Sequence, residues 1–129
     1  MNRILVEVSV GELLDKISIL EIKKEKIKDP EKLKFISDEH TILQDQLDQN
    51  VKSDEILNKL FQSLKDINAK LWVIEDDKRM CEKNSDFTEN FIKLSRDVHF
   101  LNDERAQIKL KINNHTGSKI KEIKEYTSY

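Results

Sequence analysis

Two long segments of this chain keep an unbroken three-four spacing of apolar residues, and that spacing constrains the fold more than anything else in it. One seam reads Leu57, Leu60, Leu64, Ile67, Leu71, Ile74, Lys78, Cys81, and the other Phe87, Phe91, Leu94, Val98, Leu101, Arg105, Ile108, Ile112. Alternating steps of three and four place one stripe along one face of an α-helix, the geometry of helix-on-helix and coiled-coil packing. Lys78 and Arg105 stand where the spacing asks for an apolar side chain. They are the first candidates for a role beyond packing.

The remaining composition narrows the class. Two Gly and one Pro in 129 residues leave few sharp turns, against an all-β fold, and the length suits one domain with its own core. Charged residues make up 37%, well above the usual quarter or so, as exposed helix faces require. Lys and Arg number 23 against 25 Asp and Glu, a formal charge of −2, so the electrostatic footprint of a nucleic-acid binder is missing. The basic stretch at residues 23–28 fits a solvated helix end, where cations suit the dipole. The longest apolar run, Leu71-Trp72-Val73-Ile74, falls far short of the roughly 20 residues that cross a bilayer. Glu7 directly follows Ile4-Leu5-Val6, so no secretory leader is expected. Cys81 has no internal partner and lies on an apolar seam, which suits a buried small hydrophobe in a reducing compartment. The expectation is a cytoplasmic protein without a membrane span.

Local signals divide the chain into one helical domain, 1–129. An extended N-terminus (1–8) precedes helix 1 (9–28), which opens on a capping box of Ser9 and Glu12 with Val8 and Leu13 as a hydrophobic staple. Asp29-Pro30 ends that helix and starts helix 2 (30–51), with Asp29 as cap and Pro30 in the first position. Ser53 is the expected cap of helix 3 (54–83), and Asp86 with Glu89 the expected cap of helix 4 (86–114), before a tail (115–129) opened by the stop signal of Gly117. Short connections favour antiparallel neighbours, which predicts an antiparallel four-helix bundle. Helix 3, at roughly 30 residues or 45 Å, should overhang the shorter pair together with helix 4. That overhang needs a cover, and a second copy of the chain is the favoured one. The β-branched N-terminus and the amphipathic stretch at 119–126 are expected to pair as a small ribbon.

Counting heights from the turns brings Glu21, His40 and Arg105 to one level as a buried polar layer, with Asn102 beside it. A buried guanidinium demands a carboxylate partner. Such a layer can simply fix helix register, as a polar core residue does in coiled coils, or it can hold an anion with Arg105 as a bidentate donor. A second cluster gathers near the overhang, where Trp72, Glu75, Asp76, Lys78, Arg79 and Glu82 lie on helix 3 and Arg96, His99, Asn102 and Asp103 on helix 4. Glu75 with Arg79 and His99 with Asp103 also suit plain surface pairs. No metal is expected: the histidines lack the Glu-x-x-His pattern and no Cys/His spacing suits zinc. Glu12-x-x-Asp15 and Glu122-x-x-Glu125 look like metal-binding carboxylate pairs, but Glu12 is already assigned to capping. With no phosphate-cradling glycine loop, no cofactor is implied.

The opening Val6-Glu7-Val8-Ser9-Val10-Gly11-Glu12-Leu13-Leu14-Asp15-Lys16-Ile17-Ser18-Ile19-Leu20-Glu21-Ile22-Lys23 resembles a family of short bacterial and phage proteins classed as a domain of unknown function. The likeness continues through Leu71-Trp72-Val73-Ile74-Glu75-Asp76-Asp77, Arg79, Asp86-Phe87, Phe91-Ile92 and Arg96. It resumes at Asn102-Asp103-Glu104-Arg105-Ala106, Lys109, Ile112-Asn113 and the tail from Gly117 to Tyr126. The family tends to close in Glu-Lys-Ser-Tyr, where this chain has Glu125-Tyr126-Thr127-Ser128-Tyr129. The resemblance carries no activity; it implies only a setting near glycosyltransferases and cell-surface polysaccharide assembly.

Two functions from different classes follow. One is a binding or scaffolding module that self-associates or recruits another protein. The other is a bundle that binds or transforms an anionic, phosphorylated or carboxylated metabolite. There Arg96, Arg105 and Lys109 would hold the anion, while Glu75, Asp76 or Asp103 would do acid-base work. Nucleic acid is the least favoured partner.

Overall fold

The computed structural model of the protein describes residues 2–129 and forms an all-α bundle of four helices: α1 (Val10–Lys26), α2 (Pro30–Asn50), α3 (Glu55–Lys83) and α4 (Glu89–Thr116). Each start has a local cause. The Ser9 hydroxyl accepts from the Glu12 N–H at 3.0 Å, and Asp29 accepts from the Glu31 N–H ahead of Pro30. α3 is capped by Asp54 rather than Ser53, because the Asp54 carboxylate takes the Leu57 N–H at 2.7 Å. α4 begins at Glu89, later than expected. The Asp86 carboxylate holds the N–H and hydroxyl of Thr88, so residues 86–88 form a turn and Thr88 becomes the N-cap. Gly117 stops α4 with φ 68°, a left-handed conformation that glycine adopts without a Cβ penalty.

α3 and α4 form an antiparallel hairpin whose register is tied at both ends. His115 lies 2.8 Å from Asp54, and Asn90 meets Cys81 near the turn. α1 lies against this hairpin, and α2 packs helix-to-helix on α1 alone. The bundle is therefore layered, with α1 between α2 and the hairpin. Leu14, Leu57, Leu64 and Ile112 form the core, flanked by Leu47, Val51 and Phe61. Past the level of Trp72 the hairpin loses its cover: Cys81 alone stays buried there among the described apolar residues, while Met80, Phe87 and Ile92 are exposed.

The expected terminal ribbon is absent, with no strand among the described residues. Two-stranded ribbons are marginal: Ile4, Leu5 and Val6 stay exposed, while the C-terminal tail finds other partners. The Ser118 hydroxyl accepts from the Val10 N–H at 3.2 Å, satisfying one of the unpaired donors that open a helix. The tail then folds back along α4. Glu122 reaches Lys109 at 3.1 Å, the Tyr129 hydroxyl donates to Asp103, and the Tyr129 ring meets Phe100 edge-on.

Candidate functional site

The chemistry of the interior gathers around Asp15, a carboxylate only 2% exposed. Arg105 grips it with two parallel hydrogen bonds, Nε to Oδ1 at 2.9 Å and Nη2 to Oδ2. Asn68 donates to the same Oδ1 and to the Ser18 hydroxyl, both at 2.8 Å, and Ser18 donates to the Asp15 carbonyl at 2.8 Å. Lys109, itself buried, donates to Glu12 at 2.7 Å and to Glu122, and lies 4.0 Å from Asp15. Two cations thus face three carboxylates drawn from α1 and the tail, which satisfies the rule that a buried charge must be paired.

Burial alone pushes the Asp15 carboxyl up. The hydrogen bonds from Arg105 and Asn68, with the charges of Arg105 and Lys109, outweigh it and hold the group below the usual aspartate range. Arg105 is held above its ordinary value chiefly by the Asp15 bond. Burial pulls Lys109 down, but Glu12 and Glu122 prevail and raise it. All three are therefore charged at neutral pH.

Gly11 explains why α1 comes so close to α4. A Cβ there would lie 2.6 Å from the Lys109 carbonyl oxygen and 2.9 Å from Asn113 Oδ1. In its absence the Gly11 N–H donates to Asn113 at 2.7 Å, and the helices meet backbone to side chain.

The expected polar layer splits in two. Arg105 takes Asp15, not Glu21. Glu21 pairs with Lys65 at 3.2 Å and lies 3.7 Å from His40 Nε2, which has no hydrogen-bond partner among the described residues. Counting heights from turns misses how far the Gly11 contact slides α1 along α4. Glu12, set aside as a cap residue, turns its carboxylate to Lys109 instead. The missed signal for Asp15 was an acid between Gly11 and Ser18 at helical spacing, on a face whose neighbours Leu14 and Ile17 are apolar.

Beside this network, α1, α3 and α4 enclose a cleft of about 490 Å³. Ile19, Ile22, Leu71 and Trp72 form its apolar part, and Asn68, Glu75, Asp76, Arg79, Asn102 and Arg105 its polar part. Five of the residues expected at a ligand site, Glu75, Asp76, Arg79, Asn102 and Arg105, thus share one wall system, joined by Trp72. Three do not. Arg96 sits over the Phe100 ring at 5.9 Å, Asp103 is bonded to Tyr129, and Lys109 is enclosed by carboxylates. The suggested surface pairs Glu75–Arg79 and His99–Asp103 do not form among the described residues, nor does Lys78 make an ion pair there. No group of three or more His, Cys, Asp or Glu among them is placed to hold a metal.

Among the described residues, no helix is long and apolar enough to cross a membrane. No curated protein and no solved structure matches the chain. Residues 4–129 match the family described as "Family of unknown function (DUF6165)", and the chain belongs to that family.

Proposed function

We propose that this protein is a cytoplasmic binding module whose ligand is a small polar molecule with one anionic group, seated in the cleft between α1, α3 and α4. One observation carries the reading: Arg105 is fixed by Asp15 through its Nε–Nη2 edge and still lines the cleft. A guanidinium has five donors, so this grip leaves Nη1 and one Nη2 hydrogen for a guest. The guanidinium is pre-oriented, so a guest does not bear the cost of ordering it.

Arg79 adds a second cation at the wall. Trp72 offers an apolar flank, and Glu75 and Asp76 supply acceptors for hydroxyl or amino groups on the same ligand. The acids disfavour a guest with more than one anionic group, which points to a mixed guest such as a sugar phosphate or a hydroxylated monocarboxylate. Were such a guest turned over, Glu75 or Asp76 would be the acid-base candidates.

The test is a thermal-shift panel of sugar phosphates and hydroxylated monocarboxylates, with nucleotide sugars and dicarboxylates as the multiply anionic compounds expected to shift less. A ligand at a hundred times its dissociation constant adds about 2.7 kcal/mol, a shift of several degrees for a domain of this size. Arg79→Ala should abolish the shift of the best compound while leaving the unliganded melting temperature unchanged. A flat panel, or a shift indifferent to Arg79→Ala and Trp72→Ala, would refute the cleft as the site.

A further inference from the structure

The face of the α3–α4 hairpin turned away from α1 carries a second groove, about 590 Å³, independent of the polar cleft. Its walls are Ala69, Val73 and Ile74 from α3 with Phe100 and Leu101 from α4, and one charge stands on each side, Lys70 on α3 and Asp97 on α4. Val73 is 49% exposed, and Phe100 keeps 43% exposure with the Tyr129 ring already against it at 5.5 Å. α2, the helix that would cover this face in a closed bundle, packs on α1 instead.

We infer that this groove is a homodimer interface, with a second copy of the chain as its occupant. The groove is complementary to itself under a two-fold axis running along the hairpin. That operation lays α3 over the partner's α4 without changing height. The register set by Asp54 on His115 and by Cys81 near Asn90 puts Ala69 level with Phe100, and Lys70 within a turn of Asp97. Each Phe100 therefore enters the space that the small side chain of Ala69 leaves on the other copy, and each Lys70 comes within reach of the partner's Asp97. Two knobs fill two holes and two unlike charges meet, the self-matching a two-fold interface requires. Asp97 already accepts from Lys93 at 2.7 Å, which holds it in place and leaves its second oxygen free.

Sedimentation equilibrium on the full chain tests this through charge reversal. Wild type should dimerise reversibly. Lys70→Glu and Asp97→Lys should each raise the dimer dissociation constant about tenfold or more, because like charges then meet across the axis, and the double variant should recover most of the loss. Val73→Asp should give monomer with unchanged helical circular dichroism. A wild-type monomer at high micromolar concentration would overturn the proposal. So would a dimer indifferent to both charge reversals, or single-variant losses that the double variant does not repair.

Discussion

α1 and α2 are consecutive, similar in length at 17 and 21 residues, and both capped by a side chain, yet they hold opposite places in the molecule. α1 buries seven residues and packs on every other helix, whereas α2 buries none and packs helix-to-helix on α1 alone. Amphipathic spacing says that a helix has a face to cover; it does not say how much cover is available. Small side chains made the difference. Gly11 and Ser18 let α1 approach α4 and α3 at hydrogen-bond distance, and Asp15 between them turned that approach into a polar lock. α2 has no glycine, and Phe35 and Ile42 on its outer side remain exposed.

The largest effect should come from breaking that lock. Asp15→Ala leaves Arg105 without its partner and Asn68 with one acceptor fewer, a change that typically costs about 3–5 kcal/mol, and chemical denaturation should register it. The same group sets the acid limb of stability. Its folded pKa is depressed, so its contribution is complete above the ordinary aspartate value of about 4 and fades as pH falls through the lower folded value. Asp15→Asn should flatten the stability–pH curve below about pH 4 relative to wild type.

Gly11→Ala sharpens the comparison because its sign is diagnostic. In an exposed helix the change would help by about 1 kcal/mol. Here the new Cβ meets backbone and side chain of α4, and overpacking of this kind costs about 1–3 kcal/mol. A stabilised variant would mean that α1 does not sit this close to α4. The smallest effect belongs to α2: Phe35→Ser should change stability by no more than about 0.5 kcal/mol, as surface substitutions do. A larger loss would show that the outer side of α2 is covered in solution.

Helix number, the overhanging hairpin and the stops at Asp29-Pro30 and Gly117 were legible in the chain, because spacing, capping chemistry and backbone restriction act within a few residues. Arg105 was legible as an intruder on an apolar seam, and Glu75, Asp76, Arg79 and Asn102 as a group, because neighbours on one helix or across one hairpin keep a predictable level. Arg105's partner was not. Asp15, Asn68 and Arg105 come from three helices, and their meeting depends on how far α1 slides along the hairpin, a distance fixed by the close contact at Gly11 rather than by any turn. The tail's return onto Lys109 and Asp103 was hidden for the same reason. Side-chain pattern along the chain determines which faces must be buried; only three-dimensional packing decides which buried charge answers which.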